Sequence, residues 1–136
     1  MHYLLDTDTC ISLIRHRDDV LVHRLLAERP GDVGVSTVTS AELTHGVYRS
    51  RDRDQSAQAL ESFLLPFFVA PFDADAAVCY GRLRAELEAT GQSMGAMDLL
   101  IAAHRLALGA VLVTGNTREF SKVHGLSVGS WNSGAS

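Results

Sequence analysis

Short apolar runs alternate with stretches of helical periodicity along the whole chain. His2–Asp6 (HYLLD) is a brief apolar run ending in a carboxylate, the pattern of a buried strand. Thr7–Arg15 follows as a helix with Ile11, Leu13 and Ile14 on its apolar side. Asp18–Glu28 predicts a second helix, with Val20, Leu21, Leu25 and Leu26 inward and two acids suiting its N-terminal dipole, before Pro30-Gly31 breaks it. Val33–Ser36 reads as a second strand, Thr39–Arg49 as a helix, and Asp52–Phe67 as another with Leu60, Phe63, Leu64 and Phe67 at helical spacing. Val69–Phe72 is a candidate third strand. Asp73–Thr90 and Met97–Leu108 are helices stopped by Gly91 and Gly109. Ala110–Thr114 (AVLVT) is a buried strand, residues 116–122 a turn or short helix, and Leu126–Val128 a last strand.

The strands are continuously apolar rather than alternating. This predicts an α/β fold with a short, mainly parallel central sheet covered by helices on both faces. The 136 residues suit one domain, expected over residues 1–131, with a small polar tail at 132–136 expected to be disordered. No repeat or long linker divides the chain. No apolar run approaches the roughly 20 residues that cross a bilayer. The start, Met1-His2-Tyr3, lacks the basic opening of a signal peptide, so a cytoplasmic location is expected. Cys10 and Cys79 fall in apolar helical contexts and read as buried thiols. The six histidines are scattered without paired spacing, which disfavours zinc.

The net charge of −4 argues mildly against nucleic-acid binding through bulk charge. That argument weakens if the acids converge in one pocket. In open parallel sheets, ligands bind beyond the carboxyl ends of the strands. Four acids fall there: Asp6 closes the first strand, Glu42 lies early in the helix after the second, Asp98 opens the helix Met97–Leu108, and Glu119 follows AVLVT. Each also has a local explanation. Asp6 can cap the helix starting at Thr7, and Thr39 with Glu42 has capping-box spacing. Asn116 with Glu119 has the same spacing, and Asp98 suits a helix N-terminus. Taken together, however, several carboxylates beside a very apolar segment need a positive neutraliser. No Lys or Arg lies close in sequence to Asp6, Glu42 or Asp98. A hard divalent cation, Mg2+ or Mn2+, fits such oxygen ligands and supports phosphodiester hydrolysis.

Residues 3–9, YLLDTDT, together with VLVTG at 111–115, resemble two motifs of haloacid-dehalogenase phosphatases, but the later lysine and acidic motifs of that family are missing. A broader resemblance covers the chain from about residue 3 to Trp131. It is carried by YLLDTDTCISLI (3–14), VGVSTVTSAELTHGV (33–47), YGRLRAELEATGQSMGAMDLLIAAHRLALG (80–109) and LVTGNTREFSKVHGLSVGSW (112–131). These blocks resemble PIN-domain ribonucleases, specifically VapC-type toxins of bacterial toxin–antitoxin pairs. The resemblance implies a PIN-like three-layer sandwich and a Mg2+-dependent endoribonuclease, with Mn2+ as a substitute. It implies that Asp6 and Asp98 hold the metal directly, and that Glu42 and Glu119 bind it or its waters. Thr7, Thr114, Asn116 and Arg84 are substrate-contact candidates, with capping and turn roles as the alternative for the first three. The likeness is strongest to the subgroup cutting initiator tRNA in the anticodon loop. It further implies homodimers silenced by a VapB-type antitoxin whose tail crosses the pocket. The alternative within this family is a catalytically inactive binding module. Two departures stand out: Asn116 where many members carry Asp, and Asp8 where they commonly carry Asn. The Arg49–Arg53 stretch and Arg82 are further candidates for RNA phosphates, and His104 reads as structural.

Overall fold

The structure, a computed structural model, describes residues 1–123, 128, 129 and 131. Five strands form one sheet: β1 (Tyr3–Leu5), β2 (Val33–Ser36), β3 (Phe68–Ala70), β4 (Val111–Val113) and β5 (Val128–Gly129). Their order is β3-β2-β1-β4-β5, and every pairing is parallel. The helices are α1 (Thr7–Ile14), α2 (Asp19–Leu26), α3 (Thr37–Arg49), α4 (Arg53–Leu64), α5 (Ala74–Ala89), α6 (Ala96–Leu108) and the short α7 (Thr117–Phe120). The expected last strand is met only at Val128, since residues 124–127 lie outside the described residues, as does the expected tail at 132–136.

Strand alternation divides the core into two halves. Leu4 and Leu112 point to one face, where they pack with Leu83, Leu87, Leu99, Ile101 and Phe120 of α5, α6 and α7. Leu5 and Val113 point to the other, against Cys10, Leu13, Leu21 and Leu43 of α1, α2 and α3. The result is the expected three-layer sandwich. Cys10 is fully buried and Cys79 half-buried, both as free thiols. Among the described residues, no helix is long and apolar enough to cross a membrane.

Element ends differ from expectation for local reasons. Helix α3 starts at Thr37, not Thr39, because Ser36 takes the cap by accepting from the Val38 amide at 3.0 Å. Helix α4 ends at Leu64, short of Phe67; Pro66 has no N–H with which to continue the ladder. Strand β3 likewise stops before Pro71.

Gly34 sits between β1 and β3 in register with Leu4 and Phe68. A Cβ there would lie 2.7 Å from the Phe68 carbonyl oxygen and collide with the Met1 sulfur. The Met1 side chain can move, but the β3 backbone oxygen is held in the ladder. Gly34→Ala is therefore expected to destabilise the fold by about 1–3 kcal/mol, read as a lower urea midpoint with an unchanged m-value.

Chain connections build β2 and β3 on one side of β1 and β4 and β5 on the other. The switch of direction therefore lies between the carboxyl ends of β1 and β4, where an open parallel sheet leaves a crevice.

Candidate active site

Asp6 stands at this switch point, directly after β1. Its amide donates to the Val113 carbonyl at 3.0 Å, tying it to β4. Its carboxylate Oδ1 accepts from the Thr9 amide at 2.8 Å and so caps α1. The capping role expected of Asp6 is real, and it coexists with a place in the crevice. The side chain is only 3% exposed. Burial raises its pKa, with Asp8 adding to the rise, while hydrogen bonds from Thr114 and Thr9 oppose it. Thr114 is buried at the end of β4. Its Oγ1 accepts from the Asn116 amide at 2.9 Å, which leaves its proton for Asp6.

Glu42 projects from α3. Since Ser36 caps this helix, no Thr39–Glu42 capping box forms; Thr39 is fully buried inside the helix. Glu42 Oε1 instead accepts from Thr7 Oγ1 at 2.6 Å, and Thr39 Oγ1 lies 3.2 Å from the same threonine. Thr7 thereby fixes the rotamer of Glu42.

Asp98 is the third residue of α6. The N-cap is Gly95, which has no side chain to cap with. Its Cα leaves the Asp98 carboxylate open: a Cβ at that position would approach Oδ2 to 3.6 Å. No hydrogen-bond donor among the described residues serves this carboxylate. Its pKa is pushed up to about 6, by burial first and then by the negative charges of Asp6, Asp8, Glu119 and Glu42. Asp98 thus feels the charge of every other predicted acid, and of Asp8 as well.

Glu119 lies on α7, anchored by the fully buried Phe120. The expected Asn116–Glu119 cap does not form, because Asn116 makes no side-chain capping bond. Glu119 Oε1 accepts from the Gly95 amide at 3.4 Å, and Oε2 accepts from Lys122 Nζ at 3.0 Å. The absence of nearby cations in sequence is therefore not matched in space, where the chain's one lysine reaches the edge of the acid cluster. Its signal was the Glu119–Lys122 spacing of three, which places both on one helical face.

The arginine candidates find other partners. Arg84 is exposed and donates to Tyr80 Oη at 3.1 Å and Glu88 at 3.0 Å, and to none of Asp6, Glu42, Asp98 and Glu119. Arg53 donates to the Tyr48 carbonyl and lies 5.7 Å from that ring's centre. Arg82 is paired with Glu86 across one helical turn at 4.0 Å. Asn116 is exposed beside the crevice. His104 is structural: its Nδ1 lies 2.8 Å from Ser36 Oγ, and burial lowers its pKa.

Among the described residues, no three His, Cys, Asp or Glu side chains form a ready-made cage around a metal ion. Magnesium does not need one, since it takes one or two carboxylates and completes its octahedron with water. The donors here are all hard oxygens, and Asp98 is a partly buried carboxylate that faces four negative neighbours and no donor. That set fits a divalent cation better than any organic group.

The PIN domain family matches residues 3–126. The ribonuclease VapC2 of Rickettsia felis is 36% identical, over 97% of this chain and 99% of that protein. The tRNA(fMet)-specific endonuclease VapC of Shigella flexneri is 34% identical, over 97% of this chain and 99% of its own length. Among solved structures, the DNA-bound VapBC of Salmonella typhimurium superposes with a TM-score of 0.92 at 31% identity, covering 96% of this chain and 98% of that one. These matches displace the haloacid-dehalogenase alternative, which also needs an exposed nucleophile where Asp6 is buried and hydrogen-bonded. By full-length likeness and by the acids gathered at its switch point, the chain belongs to the PIN-domain family, within its VapC group.

Proposed function

We propose that this chain is a Mg2+-dependent endoribonuclease, the toxin of a toxin–antitoxin pair, and that its active site is the crevice between β1 and β4. The observation that carries this is the placing of four acids around one crevice: Asp6 directly after β1, Glu42 bonded to the neighbouring Thr7, and Glu119 bonded to the Gly95 amide at the start of the helix that carries Asp98. An inactive binding module has no use for four carboxylates around one crevice, so the enzyme is the better reading. Asp6 and Asp98 are the direct ligands, with Glu42 and Glu119 contacting the ion or its waters. Manganese suits the same oxygens. When bound, the ion neutralises the carboxylates, polarises the scissile phosphate and makes water a competent nucleophile near neutral pH.

The protein's own part is to hold the acids still. Thr9 and Thr114 fix Asp6, Thr7 fixes Glu42, and Lys122 holds Glu119. Such fixed geometry converts chance alignment of phosphate and water into a prepared encounter. Thr7 and Thr114 act through the acids rather than on the substrate, and the exposed Asn116 remains a phosphate contact. The relatives of Shigella flexneri and Salmonella typhimurium are named tRNA(fMet)-specific endonucleases, and the same RNA is the first candidate here.

Solved relatives are VapBC complexes, one of them described as a member of the VapBC family of toxin–antitoxin systems, which supports a VapB-type partner; a homodimeric toxin is part of the same reading. An apolar groove of about 220 Å³, lined by Ile11, Ile14, Leu43, Val47 and Leu60, opens beside Glu42. It suits an antitoxin tail that lies across the pocket and sets an arginine among the acids. An RNA substrate and an antitoxin partner of this kind support a cytoplasmic location.

The test is incubation of the purified chain with a panel of tRNAs. Cleavage is expected with Mg2+, to stop with EDTA, and to leave a 5′-phosphate and a 3′-hydroxyl. Products ending in a cyclic phosphate, formed equally well in EDTA, would exclude metal-assisted hydrolysis.

A further inference from the structure

Lys122 is the only lysine of the chain, and it holds two segments that flank Asp98. Its Nζ donates to Glu119 Oε2 at 3.0 Å and to the Ser93 carbonyl at 3.0 Å. The second contact spans 29 residues and reaches the loop between α5 and α6. Two residues further along that loop, the Gly95 amide donates to the other oxygen of Glu119. Gly95 is in turn the N-cap of α6 and lies against the Asp98 carboxylate. A closed circuit results, running from Lys122 through Glu119 to Gly95 and back along the chain to Ser93, at the foot of the helix that carries Asp98.

We infer that Lys122 is a positioning residue for the acid cluster: it ties Glu119 and the 93–95 segment together, and keeps Glu119 outside direct metal coordination. Both oxygens of Glu119 are already engaged by this chain. An ammonium on Oε2 partly neutralises the carboxylate at the rim. The ion is thereby left to the uncapped Asp98 and to Asp6, with Glu119 acting at a distance or through water. This rests on the proposed metal-dependent cleavage and specifies the role of one of its four acids. A three-residue salt bridge on a short exposed helix would ordinarily be incidental, with little effect on stability. The backbone contact to Ser93 separates this one from that case, because it joins the turn after α7 to the loop before α6, across 29 residues.

The consequence has opposite signs for binding and turnover. Removing the ammonium deepens the negative potential at the acids, so cation affinity rises. Releasing Glu119 and the 93–95 segment disturbs the prepared geometry, so turnover falls. Lys122→Met is expected to tighten Mn2+ binding by about threefold, measured by calorimetry on the intact chain. It is expected to lower kcat for RNA cleavage by about tenfold with KM little changed. Lys122→Arg retains charge and donors and is expected to restore both quantities to within about twofold of wild type. In a Glu119→Gln background, Lys122→Met is expected to change kcat by less than about twofold, since the two residues then share one effect. A melting curve for each variant confirms that it folds.

Wild-type affinity and turnover in Lys122→Met would overturn the inference, as would equal loss in Lys122→Arg and Lys122→Met. Weaker rather than tighter Mn2+ binding in Lys122→Met also counts against it. A wild-type chain that neither binds Mn2+ nor cleaves RNA would instead overturn the functional reading, and this inference with it.

Discussion

Asp98→Asn is expected to lower RNA cleavage by at least about 100-fold while making the metal-free protein more stable. The carboxylate pKa rises from an ordinary 3.8 to about 6 through burial and four like charges. For an acid, a raised folded-state value means that the native state holds the proton longer than the unfolded state. Stability is then fully present below about pH 4, falls as pH rises through about 6, and stays reduced at neutral pH. The shift corresponds to at most about 3 kcal/mol, and solvent screening at this partly buried group reduces it to about 1–2 kcal/mol. Asparagine keeps the shape and removes the charge. In EDTA at pH 7 the variant should unfold at higher urea than wild type, and the two curves should draw together near pH 4. An unchanged or lower midpoint at pH 7 would mean that the acids do not press on Asp98 as the geometry implies. The pairing of lost activity with gained stability is what separates a binding carboxylate from a structural one, whose removal weakens the fold.

Phe120→Ala is expected to destabilise the protein by about 3–5 kcal/mol. Phe120 is completely buried, in the core half shared with Leu4, Leu112, Leu99 and Ile101. It is also the largest anchor of α7, a helix of four residues that cannot hold its own shape in water. A fall in Tm of about 10–20 °C is expected for a domain of this size. Its neighbour Glu119 should lose its fixed position at the same time, so cleavage at a temperature where the variant is folded should fall as well. A shift of only a few degrees would show that α7 is held from elsewhere.

Much of the sandwich was legible because its signals are local. β1, β2 and β4 are short unbroken apolar runs, and the long helices end at Gly91 and Gly109, both with positive φ. The convergence of Asp6, Glu42 and Asp98 was legible from their common place after strands or at helix starts. The capping boxes were not. Ser36 and Thr39 offer the same chemistry, and which one caps α3 depends on where β2 stops pairing with β1 and β3. The role of Lys122 was hidden for a similar reason. Its spacing from Glu119 is visible in sequence, but the Ser93 carbonyl that makes the contact meaningful comes from 29 residues away. The strength of the pressure on Asp98 was equally hidden, because it sums charges from three separate segments. Pro66 and Pro71 trim α4 and β3 because a missing N–H outweighs the apolar periodicity that runs on past each of them.

The most direct measurement is single-turnover cleavage of initiator tRNA by wild type and Asp6→Asn across a Mg2+ series. Asparagine can still accept the Thr9 amide and cap α1, so the substitution removes charge while sparing the fold. The expected result is a wild-type rate that rises with Mg2+ to a plateau and vanishes in EDTA, with Asp6→Asn slower by at least about 100-fold throughout. Equal rates for the two proteins, or cleavage that persists in EDTA, would contradict an active site built on a metal held at Asp6.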